Sequence, residues 1–266
     1  MTRSLLATLA LSTLAVPAFA DVEVFGYSKP SDVLPEGAAT VEIWNTYSET
    51  GVAPERERGF QSRLELETGL GNDVQVSGYL NFEQARTETA PDSFETKGEF
   101  DGISLELKWK LADASADPVG FALYVEPTVG TDELEFEMKA IMDKRIGDHY
   151  WAANLTYEPR VLNGDNGKWG KPEGNVELDL GFGFWVTQHV MVGIEARDNN
   201  WLAEGKWQNS ALSVGPTVHA DIGKFWVTLA VMPQVAALRG ATADGLALEG
   251  DGQNRFEVRL ATGFNF

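Results

Sequence analysis

Three features of the chain predict an all-β fold, an antiparallel up-and-down transmembrane β-barrel of about twelve strands. Apolar and polar residues alternate with period 2 from residue 38 onward, connections alternate between tight turns and longer loops, and aromatic residues gather toward both ends of the apolar face. Lipid offers an unpaired N–H or C=O no partner, so a sheet that crosses a bilayer has to close on itself. The end of the sequence fits that requirement. Phe256, Val258 and Leu260 alternate before Gly263, Phe264, Asn265 and Phe266, so the last strand is expected to pair with the first and to turn Phe266 toward lipid.

The opening residues read as a cleavable export signal, residues 1–20. Arg3 supplies a positive start, Leu5 to Val16 is apolar, and Ala18-Phe19-Ala20 is a small-x-small cleavage site. The apolar run is short and Pro17 interrupts it, which argues against a retained helical span. Residues 21–37 form an N-terminal periplasmic or lumen segment ending in the turn signal Leu34-Pro35-Glu36-Gly37, and residues 38–266 form the barrel.

Within 38–266 the pattern predicts strands at 38–49, 59–70, 74–83, 99–111, 119–128, 133–143, 149–158, 174–186, 190–198, 208–220, 224–235 and 254–266. Most approach the roughly 9–11 residues that a tilted strand needs to cross a bilayer. In the second strand Leu64, Leu66 and Leu70 oppose Arg63, Glu65 and Glu67; in the fourth, Ile103, Leu105, Leu107, Trp109 and Leu111 oppose Ser104, Glu106, Lys108 and Lys110. In the eighth, Val176, Leu178, Leu180, Phe182 and Phe184 oppose Glu177 and Asp179. A soluble sandwich also alternates, so the connections carry more weight. Tight turns at 71–73, 144–148, 187–189 and 221–223 face longer polar loops at 84–98, 159–173, 199–207 and 236–253, the arrangement of short periplasmic turns against external loops. On the apolar face Trp109, Phe121, Trp151, Phe184, Phe225 and Phe264 fall at the turn end, and Tyr47, Phe60, Phe82, Phe136, Tyr157 and Phe256 at the loop end. Two such girdles suit two membrane interfaces, whereas a sandwich core would hold its aromatics mid-strand. Two details resist: Asn45 falls on the lipid face beside an inward Trp44, and Pro216 sits mid-strand, where a bulge is expected.

Composition excludes several classes. The formal charge is −19, and losing residues 1–20 removes Arg3 and no acid, so the exported chain is more acidic still. Such a surface repels nucleic acid. No Cys is present, which removes disulfides, thiolate nucleophiles and Cys-metal sites. The expected partners are outer-membrane lipid, the assembly machinery through the strand ending in Phe266, and a small polar solute.

The inward face carries an uneven charge map. Glu126, Glu135, Glu137, Glu158, Glu177, Asp179 and Glu195 gather on strands five to nine with Lys139 and Arg197, while Arg63, Arg255 and Arg259 lie on the second and last strands. An acidic wall facing a basic wall makes a transverse field that selects polar solutes. The sequence therefore predicts a narrow passive channel for small polar or cationic solutes, its path lined by Glu126, Glu137, Glu177, Asp179, Glu195, Arg197, Arg255 and Arg259. The alternative is a closed structural or partner-binding barrel whose charges pair across a filled interior. Enzymatic activity is not expected: His149 and His189 fall in turns and His219 has no Ser two residues on. No metal or cofactor is expected either, since Asn163-Gly164-Asp165-Asn166-Gly167 lacks the spaced carboxylates and terminal Glu of a calcium loop.

Several runs carry a family resemblance: Gly78-Tyr79-Leu80-Asn81, Phe100-Asp101-Gly102-Ile103-Ser104-Leu105, Pro118-Val119-Gly120-Phe121-Ala122-Leu123-Tyr124-Val125-Glu126-Pro127, and Trp151-Ala152-Ala153-Asn154-Leu155-Thr156-Tyr157-Glu158. On these the chain resembles a family of uncharacterised proteobacterial outer-membrane β-barrel proteins. More distantly it is similar to barrels associated with the phenol meta-pathway of aromatic degradation and regarded as transporters. The resemblance implies the fold and an outer-membrane location, and it transfers no substrate and no site residue.

Overall fold

Twelve antiparallel strands form one closed barrel in the computed structural model, which describes residues 23–51, 56–90, 93–163, 168–240 and 252–266. The expected export signal lies outside the described residues. The strands are β1 (Ala39–Thr50), β2 (Glu57–Gly71), β3 (Val74–Ala90), β4 (Ser93–Ala112), β5 (Gly120–Gly130), β6 (Glu133–Ile146), β7 (His149–Leu162), β8 (Glu173–Trp185), β9 (Val190–Ala203), β10 (Lys206–Ile222), β11 (Phe225–Arg239) and β12 (Asn254–Asn265). Closure is by β1, where Val41 pairs with Leu66 of β2 on one side and with Phe264 of β12 on the other.

Side-chain parity follows the sequence pattern, inverted relative to a soluble protein. Leu66 is 57% exposed and Leu105 66%, whereas Glu65 on the neighbouring inward position is 1% exposed. Lipid-facing aromatics include Trp109, Phe184 and Phe225 at the turn end and Phe60, Phe82, Phe136 and Tyr157 at the loop end. Trp44 does point inward, donating its Nε1–H to Glu42 at 2.9 Å. Outward Asn45 accepts a hydrogen bond from Ser62 Oγ at 3.0 Å, which satisfies part of its polarity within the wall.

The turn end is tight. Asn72 and Asp73 both have positive φ, 52° and 60°, the two-residue hairpin geometry whose twist matches the strands. The longer connection after β4 is organised by Asp113, whose carboxylate accepts from the N–H groups of Ser115 at 2.7 Å and Ala116 at 2.9 Å. Those backbone donors hold the Asp113 carboxyl below its ordinary pKa.

The loop end needs correction. Residues 84–98 and 199–207 are not loops: β3 and β4 run on to Ala90 and from Ser93, and β9 and β10 meet at a Glu204–Gly205 turn. Ladder pairing continues beyond the loop-end aromatics Phe82 and Phe100 because an antiparallel hairpin satisfies its own backbone whether its side chains face water or lipid. β7 likewise runs to Leu162 and β11 to Arg239, into the expected loops 159–173 and 236–253, of which residues 164–167 and 241–251 lie outside the described residues.

The expected bulge at Pro216 is also corrected. Pro216 keeps its register against Ile194 of β9; what it loses is the ladder to β11, which stops at Ser213–Gln234 and resumes at Thr217–Ala230. Pro216 and Pro233 both fall in that gap. Comparable gaps contain Pro127 between β4 and β5 and Pro159 between β6 and β7. Each proline lacks the N–H that a ladder bond needs and the wall skips the bond; a one-residue shift in the β10–β11 register lies beside the gap, between Leu212 and Ser213.

Candidate functional site

The described residues before β1 do not lie outside the barrel. Residues 23–34 cross its interior as a strap, with Phe25, Ser28 and Ser31 at 0% exposure. No periodic pattern shapes this segment; the wall does. The Glu195 carboxylate on β9 accepts from the N–H groups of Gly26 at 2.8 Å, Tyr27 at 2.8 Å and Ser28 at 3.1 Å. Asn154 on β7 brackets Lys29, accepting its N–H at 2.5 Å and donating to its C=O at 3.0 Å. Asp143 on β6 accepts from Ser31 Oγ at 2.5 Å, and Gln75 on β3 accepts the Leu34 N–H at 2.8 Å. A buried backbone outside the sheet has to find such partners, and four strands supply them. Apolar contacts add to this. Phe25 stacks on Tyr150 with centroids 5.7 Å apart, and a Cβ at Gly181 would lie 2.8 Å from the Phe25 ring, so the wall there must stay bare.

Between the strap and the loop end lies a polar cavity of about 490 Å³. Twelve carboxylates and six cationic side chains line it, and Glu23, Gly26, Tyr27 and Lys29 of the strap are among its lining residues. Toward the turn end the interior is filled by buried side chains that include Trp226, Met191 and His219.

Several of the cavity charges are paired, and those pairs lie over aromatic rings. Arg63 is bonded to Glu126, which also accepts from the Tyr124 hydroxyl; the Arg63 guanidinium lies 4.1 Å from the Tyr79 ring centroid. Lys139 is bonded to Glu137 and lies 5.2 Å from the Tyr124 ring. Arg197 joins three acids, Glu177 at 2.6 Å, Glu257 at 2.8 Å and Asp179 at 3.9 Å. Arg259 donates to Thr46 Oγ1 at 3.0 Å and to the Gly26 carbonyl at 2.9 Å, with its guanidinium 4.0 Å from the Tyr27 ring. Tyr27 in turn donates to Glu257 at 2.6 Å; burial and the Glu257 charge raise its hydroxyl well above the ordinary pKa.

Of the residues expected to line a solute path, Glu126, Glu137, Glu177, Arg197 and Arg259 border the cavity. Asp179 lies 1% exposed behind Arg197, Glu195 holds the strap, and Arg255 is half-buried farther toward the loop end of β12. Acidic and basic walls meet through Arg63–Glu126 and Arg197–Glu257 rather than facing each other across open water.

Lys29, Tyr27 and Glu23 of the strap were not legible as site residues, because nothing in an aperiodic segment says where it will be drawn. Lys29 Nζ lies 3.1 Å from Glu23 and 3.8 Å from Glu106, and 5.5 Å from the ring centroids of both Trp44 and Tyr124. Burial alone would lower its pKa, but the carboxylates of Glu23, Glu106, Glu65 and Glu67 outweigh burial and raise it well above the ordinary value. Among the described residues, Glu42, Glu65 and Glu67 place carboxylate oxygens within 4.8 Å of one another. Two of these three, Glu65 and Glu67, act on the Lys29 ammonium. His219 is fully buried, sharing a 2.8 Å hydrogen bond with Thr228 and lying 3.3 Å from Asp221, remote from the cavity lining. Residues 164–167 of the calcium-like sequence lie outside the described residues.

A closed antiparallel barrel with an apolar outer belt and a charged interior defines the class of outer-membrane β-barrels. Within that class, the chain belongs to DUF6662, a family of unknown function, whose model matches residues 17–266. No curated protein matches it. Among solved structures it is similar to the NanC porin, with a TM-score of 0.55 and 9% identity over 85% of this chain and 100% of that one. The KdgM porin gives 0.52 at 8% identity, over 85% and 99%. The translocator domain of the autotransporter NalP from Neisseria meningitidis gives 0.54 at 10% identity, over 86% and 88%. At such identities the likeness is one of fold.

Proposed function

We propose that this protein is an outer-membrane channel for small cationic solutes, held closed by the strap of residues 23–34. The observation that carries the reading is the loop-end cavity, whose carboxylates outnumber its cationic side chains two to one and which ends on a segment held by side chains of the wall. An excess of fixed negative charge in a low-dielectric cleft concentrates cations. The KdgM porin has been solved with an oligogalacturonate, an acidic sugar chain; the charge of this cavity favours solutes of the opposite sign. Export by residues 1–20 and assembly through the lipid-facing Phe266 belong to the same proposal. A second reading, a closed barrel that binds a partner or stabilises the envelope, is favoured by the filled turn-end half.

Planar-bilayer recording separates them. The parent should conduct weakly, and a variant lacking residues 23–34 should conduct strongly, with a reversal potential in a salt gradient that reports cation preference. That preference should fade as the Debye length falls from about 10 Å at 0.1 M to about 3 Å at 1 M salt. A strapless variant that folds but carries no current would reject the channel and leave the closed barrel.

A further inference from the structure

We propose that the cage around Lys29 is a binding site for primary alkylammonium ions and that Lys29 is its tethered occupant. The strap thereby closes the lumen by presenting a copy of the ligand's own head group.

The cage is built for that group. An ammonium has three N–H donors, and here it finds Glu23 at 3.1 Å and Glu106 at 3.8 Å, while the Trp44 and Tyr124 rings each lie 5.5 Å away. Both carboxylates answer the charge, Glu23 also accepts a hydrogen bond from the ammonium, and two ring faces add cation–π attraction. Three of the four groups, Glu106, Trp44 and Tyr124, belong to barrel strands and stay in place if the lysine is shortened. Glu23, Trp44, Tyr124 and Lys29 all border the cavity, so a free ion entering from the loop end reaches the site directly. Arg63 and Lys139, which also border the cavity, are committed to Glu126 and Glu137. The Lys29 ammonium is the charge on which Glu23, Glu106, Glu65 and Glu67 all act.

The lysine stem has four methylenes, so n-butylammonium reproduces it in free form. A tethered group acts at an effective concentration on the order of millimolar or above, and a free amine must exceed that to displace it. In Lys29→Ala the amine meets no competitor.

The test is thermal melting of the detergent-solubilised barrel during titration with n-butylammonium chloride at constant ionic strength. Lys29→Ala should melt lower than the parent and be restored saturably, at a half-saturating concentration at least tenfold below that for any effect on the parent. Lys29→Met, which fills the cage without charge, should melt low and stay unresponsive. Potassium and tetraethylammonium, which donate no N–H, should restore little. If Lys29→Ala fails to survive purification, refolding yield with and without the amine reads the same site. Equal response to all three cations, equal response of parent and Lys29→Ala, or no response would overturn the proposal. The proposal rests on the channel reading only for its use in the cell. Melting needs no current, so a silent bilayer beside a positive titration rejects the channel and keeps the site.

Discussion

Glu195 shows what one buried side chain does when it serves backbone rather than solute. Its two oxygens accept three consecutive N–H groups of the strap. Glu195→Gln keeps the shape but turns one acceptor into an NH₂ donor facing N–H groups. Hydrogen bonds to a charged group contribute about 1.5–3 kcal/mol each, so the strap should loosen and bilayer conductance should rise above the parent's. Unchanged conductance with unchanged melting would show that Glu195 does not hold the strap. Titration offers a second residue-scale expectation. Lys29 and Tyr27 both have pKa values raised well above ordinary in the folded state. Unfolded, they release protons near pH 10, whereas folded they retain them, so stability is full below about pH 10 and falls as pH climbs through the window above. The melting temperature should therefore hold up to about pH 10 and drop above it, and drop less in Lys29→Ala. Charge on the acidic wall gives a third. In Glu137→Gln/Glu177→Gln/Asp179→Asn, Lys139 loses its paired acid and Arg197 keeps only Glu257. Breaking a buried pair on one side costs about 3–5 kcal/mol. The triple variant should lose both stability and cation preference; a reversal potential equal to the parent's would remove these acids from any solute path.

At the scale of elements, hairpin geometry and strand continuity decide the architecture. The β2–β3 turn needs left-handed backbone at both Asn72 and Asp73, which short polar side chains tolerate. Asn72→Val places a β-branched residue there and should cost about 1–2 kcal/mol, read as a lower midpoint in urea. A midpoint at or above the parent's would mean that the turn relaxes freely. The sequence located all twelve strands because lipid outside and charge inside enforce alternation on every crossing. It placed the loop end too close to the membrane at residues 84–98 and 199–207, where polar composition reads as loop although the ladder continues. Composition reports solvent; pairing is decided by the neighbouring strand.

For the whole molecule, closure and the strap set the behaviour. A barrel with no free edge should resist unfolding in cold detergent and migrate faster unheated than boiled on a gel; identical mobility in both lanes would contradict closure. Phe266 is 67% exposed, and its N–H donates to the Ala39 carbonyl at 3.0 Å. Phe266→Asp should cost the purified barrel only about 0–1 kcal/mol at the membrane interface, so a large loss of the variant from the envelope would implicate recognition during assembly. The sequence by itself determined strand number, inward and outward faces, the acidic lumen wall and the absence of thiol chemistry, because these follow from local alternation and composition. Only the tertiary structure decided that residues 23–34 fill the lumen, that Glu195 binds residues up to 169 positions away, and that the acidic wall is neutralised in part by Arg63 and Arg197. The physical reason is that a buried aperiodic segment takes its course from partners on distant strands. Which charges meet across a barrel depends on its radius and on the height of each residue, and neither is written in any one stretch of chain.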